Sequence, residues 1–84
     1  MIPTIHSNGT GATDLLAQLC DAGAAVRVAM AAHANAAPNG RDYYPQGPEA
    51  IWAATREWQR RQEKLLSVLW ELEAMSEAVA DLVP

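Results

Sequence analysis

From Ile51 to Val79 the chain repeats a stripe at alternating intervals of four and three: Ile51, Thr55, Trp58, Gln62, Leu65, Leu69, Leu72, Ser76 and Val79. That heptad spacing predicts one long α-helix with a single packing seam. Pro48 is a favoured first helical residue, and Glu49 adds negative charge beside it. No Gly or Pro follows until Pro84. Helix two is therefore placed at 48–81, with about 30 residues spanning roughly 45 Å. Upstream, Leu15, Leu19, Ala22, Val26 and Ala29 recur at helical spacing, with Leu16, Cys20 and Met30 beside them. They place helix one at 13–35, with Thr10 or Thr13 as N-cap and Asp14 in the first turn. Gly23 and the many alanines thin this face and permit close approach of a second helix. Residues 1–12 read as an extended N-terminal segment: a short strand from Ile2 to His6, then a turn through Asn8-Gly9-Thr10-Gly11. The connector is 36–47. The expected fold is mainly α: a single small domain over 1–84, built as a helical hairpin with a long second helix.

Large apolar residues fall outside that seam: Trp52, Leu66, Val68, Trp70 and Met75 on helix two, and Leu82 just after it. Helix one is the shorter arm and cannot cover them all. Assembly as a homo-oligomer is the economical way to take that surface out of water.

The totals narrow the class. Eighty-four residues hold one modest core. A lone Cys20 cannot form an internal disulfide, and on the apolar face of helix one it reads as a small core residue. The first residues lack a basic start followed by a long apolar run, so no secretory signal is expected. No apolar stretch is read as long enough to cross a membrane. The net charge is −4. That argues against generic DNA or RNA binding, which draws on a basic surface. The distribution is uneven, however. Arg56, Arg60, Arg61 and Lys64 lie within nine positions, and after Lys64 the chain carries only acidic charges. A local basic patch on an acidic protein suits a small anion better than a long polyanion.

The densest chemistry lies in the connector and just beyond it. Asn39-Gly40-Arg41 is expected to form a turn with a left-handed Gly40, freeing backbone N–H groups to point outward. Tyr43 and Tyr44 offer faces to a base or ribose. The plainer reading is a proline-braced turn with one tyrosine buried and one exposed. Arg56 and Arg60 share a helix face at four-residue spacing, so their guanidinium groups can reach one anion. The plainer reading pairs these charges with Glu57 and Glu63 along the helix. On a helix that pairs with its own copy, four guanidinium groups would surround one symmetric pocket.

Catalysis is poorly supplied, and no enzyme is expected. His6 and His33 are far apart in sequence, and no His/Cys/Asp/Glu cluster has metal-ligand spacing. Glu71, Glu73 and Glu77 read as a solvated face. The turn at Asn8–Gly11 is followed by neither a P-loop lysine nor a dinucleotide fingerprint. No cofactor is implied.

His6-Ser7-Asn8-Gly9-Thr10, then a helix, then Pro38-Asn39-Gly40-Arg41-Asp42-Tyr43-Tyr44, then an Arg-bearing long helix, resembles the helical part of the first-described Thoeris anti-defence family. These are phage sponge proteins that sequester cyclic nucleotide immune signals. The resemblance spans residues 4 to about 72. It implies binding without turnover, in the cytoplasm of an infected bacterial host. It also implies a homodimer or hexamer and a ligand of the cyclic ADP-ribose or cyclic di- or trinucleotide class, with no DNA, RNA or membrane partner. Within it, Asn39 would belong to the ADP-ribose-type site near the loop, where the loop's own chemistry makes Gly40, Arg41, Tyr43 and Tyr44 further candidate ligand residues. Arg56 and Arg60 would face cyclic-oligonucleotide phosphates. A helical, dimeric protein-interaction module without a small-molecule ligand is the alternative.

Overall fold

The computed structural model describes residues Met1–Pro84. The chain is mainly helical and has no strands. Helix α1 spans Ala12–Asn35, α2 is a single turn at Gly40–Tyr43, a 3-10 turn follows at Tyr44–Gln46, and α3 spans Ala50–Ala80. Helices α1 and α3 pack side by side as a hairpin measuring 61 × 19 × 18 Å.

The heptad stripe of α3 is the packing face. All nine of its residues are buried or half-buried, Leu69 and Val79 most deeply. Ala54, one place off the stripe, is buried with them. Its polar members are satisfied locally or across the seam. Thr55 Oγ1 donates to the Ile51 carbonyl one turn back (2.7 Å). Gln62 reaches α1.

On α1 the seam departs from expectation. It runs through Ala12, Leu15, Leu16, Leu19, Gly23, Val26, Met30 and His33, whereas Ala22 and Ala29 face solvent. A 3.6-residue period lets Gly23 and Met30 take the inward places one position later. Cys20 likewise is exposed, not core: it sits on the flank of that seam, beside Leu19 and Gly23. Neither threonine caps α1. The N-cap is Gly11, without a side-chain hydrogen bond, and Asp14 alone complements the first turn.

Two further expectations need correction. Ile2–His6 forms no strand, because the chain offers it no partner strand; the first ten residues have one backbone hydrogen bond, from Gly9 N–H to the His6 carbonyl (3.1 Å). The segment's start instead lies beside α3, where Met1 and Ile2 border a depression with Val68, Leu72 and Met75. Helix α1 is long and apolar enough, by length and composition, to cross a membrane. Nine of its 24 residues are alanines, and its Leu, Val and Met row at 15, 19, 26 and 30 faces α3.

One seam leaves much surface wet. The chain exposes 6197 Å². A compact monomer of this mass would expose roughly 4,900 Å². Trp52 and Trp70 remain 66% and 60% exposed, and Val68 and Leu82 are exposed as well.

Gly23 is buried in the seam, yet a Cβ built on it would meet only Leu69 Cδ1, at an ordinary 3.9 Å. Gly23→Ala should therefore stabilise the hairpin by about 0.5–1 kcal/mol, through reduced backbone entropy of the unfolded chain. Denaturant titration followed by circular dichroism checks this; a lower midpoint would show that the helices need closer approach than a methyl allows.

Candidate functional site

The connector is more ordered than a loop. Asn39 caps α2: its Oδ1 accepts from the Arg41 N–H (3.0 Å), and its Nδ2 donates to Asp42 Oδ2 (2.8 Å). The Asp42 N–H donates to the Asn39 carbonyl (3.2 Å). An Asn followed three residues later by Asp builds this reciprocal cap from its own sequence. It also answers the expectation of outward N–H groups, since those of Arg41 and Asp42 are already taken. Gly40 is helical, not left-handed. The left-handed glycine is Gly47, with φ 112° and ψ 163°. Pro48 restricts its predecessor to extended ψ, and only glycine combines that with so positive a φ.

Tyr43 is half-buried and Tyr44 is 77% exposed. Both lie on the α3 side of the bend, since α2 and the 3-10 turn touch α3 and not α1. Arg41, Arg56 and Arg60 are exposed, and none of their side chains has a hydrogen-bond or ion-pair partner. The intrahelical pairings with Glu57 and Glu63 do not form. The one ion pair is Arg27–Glu73, between exposed groups of α1 and α3. By helical periodicity Arg56 and Arg60 lie roughly 160° around α3 from the seam, on its outward face. They stand about 9 and 15 Å along the axis from Ala50.

The seven residues thus form two neighbouring groups, one at the bend and one on the outer face of α3. No depression in the single chain is lined by any of them. The one at the bend is bordered by Gln46, Gly47, Pro48, Glu49, Ala50 and Ala53. A groove of about 340 Å³ lies between the helices, at Cys20, Gly23 and Ala24 of α1 and Leu69, Glu73 and Ser76 of α3. No group of three or more His, Cys, Asp or Glu side chains is placed to hold a metal.

A polar cluster that the stripe did not announce closes the loop end of the hairpin. The Trp58 indole stacks on His33 with ring centres 5.1 Å apart and planes 13° from parallel. Its Nε1–H donates to the His33 carbonyl (2.7 Å), one of the last α1 carbonyls that lack a partner within the helix. His33 Nδ1 lies 2.7 Å from Gln62 Oε1, and its Nε2 accepts from Arg61 Nε (3.3 Å). Because arginine can only donate, Nε2 is the acceptor and Nδ1–H the donor of the neutral ring. Gln62 Nε2 also reaches the Met30 carbonyl (3.4 Å). The available signal was a His in the last turn of α1 and a Trp and Gln four apart on the α3 stripe. The cluster is structural, and it draws Arg61 away from Arg56 and Arg60.

No known family model matches the chain, and neither curated proteins nor solved structures returned a match.

The two connector glycines should respond in opposite ways. Gly47→Ala forces a methyl into positive φ and should cost about 1–3 kcal/mol. Gly40→Ala, in a helical turn with open space around the new Cβ, should be neutral or slightly stabilising. Thermal unfolding of both variants measures the difference. Equal losses would mean that Gly40, too, needs a conformation that only glycine adopts.

Proposed function

We propose that the chain is a non-catalytic binding protein that sequesters a small anionic signal of the cyclic nucleotide class. One observation carries this reading. Arg56 and Arg60 stand one helical turn apart, exposed and unpaired, on the face of α3 turned away from α1. Nothing within the chain uses these two guanidinium groups, although Glu57 and Glu63 are at hand. Paired guanidiniums of this kind match phosphate oxygens. The exposed Tyr44 ring and Arg41 at the bend supply a second set of contacts for a base or ribose.

The resemblance of the His6–Thr10 and Pro38–Tyr44 segments to the Thoeris anti-defence sponges adds the biological setting: a phage protein that inhibits bacterial defence from the host cytoplasm. In that reading two or more copies assemble, the bend carries the ADP-ribose-type site, and the Arg pair neutralises cyclic-oligonucleotide phosphates. A second reading, a dimeric helical interaction module with no small ligand, draws on the exposed Trp52, Trp70 and Tyr44 rings.

Calorimetric titration with cyclic di- and trinucleotides, cyclic ADP-ribose isomers and a linear nucleotide control tests the proposal. Each charge-assisted hydrogen bond to phosphate is typically worth about 1.5–3 kcal/mol. Arg56→Ala/Arg60→Ala should therefore weaken cyclic-oligonucleotide binding roughly 100-fold or more, with helicity unchanged. Asn39→Ser keeps an N-cap but removes the amide, so it should weaken an ADP-ribose-type ligand without lowering the melting temperature. If the wild-type protein binds none of these compounds, the sponge reading fails and the interaction module takes its place.

A further inference from the structure

Outside the seam, α3 carries a second stripe at alternating spacing: Trp52, Arg56, Gln59, Glu63, Leu66 and Trp70. Five of the six are exposed and Leu66 is half-buried. Eighteen residues are five full turns, so Trp52 and Trp70 point the same way, about 27 Å apart. The spacing of four, three, four, three, four reads the same in both directions, and it begins and ends on the same residue type. A helix with such a stripe can pair antiparallel with its own copy about a two-fold axis level with residue 61.

We propose that α3 pairs in this way with α3 of a second copy. Trp52 of each chain then packs on Trp70 of the other. The Arg56 stem lies on Leu66, and Gln59 faces Glu63. The same register sets Glu63 within one turn of the other copy's Arg56, so opposite charges meet near the axis. The area agrees. The chain exposes roughly 1,300 Å² more than a compact protein of its mass. A specific interface takes about 800 Å² from each partner. The seam with α1 lies roughly 100–120° around α3 from this stripe, so α1 does not obstruct the contact.

The pairing also completes what one chain lacks. Arg60 lies beside the second stripe, on the flank away from α1. A two-fold axis perpendicular to the helix pair keeps that flank on the same side in both copies. Arg56 and Arg60 of the two chains are then gathered along one groove at the axis, with Lys64 at its margin. In a single chain the depression beside this stripe is bordered by Trp58, Gln59, Gln62, Glu63 and Leu66, and neither arginine lines it. The self-pairing stands without any ligand. Only the role of the groove as an anion site rests on the function proposed above.

The test uses the whole chain in a Cys20→Ala background, without ligand. Gln59→Cys and Glu63→Cys proteins, mixed under mild oxidation, should form a mixed disulfide faster than either forms its own. A parallel pairing would instead favour the two self-disulfides. Either that result or a monomer at 100 µM (roughly 100-fold above a micromolar dissociation constant) in sedimentation overturns the proposal. Trp52→Ala and Trp70→Ala, both at exposed sites, should each weaken self-association roughly 30-fold or more at unchanged helicity, as buried aromatic anchors do. Unchanged association in both variants would likewise overturn it. A dimer that meets these expectations but binds no cyclic nucleotide would retain the pairing and remove the ligand reading alone.

Discussion

Everything in this chain depends on the seam between α1 and α3. Isolated helices gain little from propensity alone, so each is held by the face it buries. Here that face is narrow. Four apolar residues are buried, Ala12, Ala54, Leu69 and Val79, and the other contacts are half-exposed. The two ends of the seam are closed differently. At the bend, His33, Trp58 and Gln62 close it with directed hydrogen bonds. At the other end, Val79, wholly buried, and Ala12 close it by packing alone. The directed bonds fix the register of the two helices, since a slip of one residue would break the Trp58 bond to the His33 carbonyl and unpair the His33 and Gln62 side chains.

The hairpin itself was legible because its governing signal is periodic. The Ile51–Val79 stripe located both the helix and the face it buries. The same periodicity was weaker on α1, where alanine is nearly indifferent to burial. Ala22 and Ala29 therefore looked as eligible as Gly23 and Met30, and the seam was read one position off. The connector misled for a different reason. Asn39, Gly40 and Asp42 are turn formers in many geometries, and only the folded chain shows that Asn39 uses its amide to cap its own turn. At Gly47 the following proline holds ψ extended and only glycine permits the positive φ, a constraint visible in the Gly-Pro pair yet outweighed there by the Asn-Gly pair. The His33 cluster left little trace, because a stacked imidazole arises from three residues that only the hairpin brings together.

Helix α3 carries its charges against its own dipole. The basic residues cluster in its first half, while Glu77 lies in its last turn and Asp81 just beyond, where a helix favours cations. The helix gains nothing from that order, so its use is to be sought outside the helix. The unpaired Arg56 and Arg60 and the wet Trp52 and Trp70 lie on that same outward side. The proposed site and the proposed self-pairing thus draw on one surface.

The chain has three tryptophans and no phenylalanine. Trp58 is held against an imidazole inside the seam, whereas Trp52 and Trp70 stand in water. Near-ultraviolet emission from this protein is accordingly two signals in one spectrum. The Trp58 component follows whether the hairpin is closed. A red-shifted component follows whatever dries the outer face. The molecule carries separate built-in reporters for its tertiary fold and for its encounters.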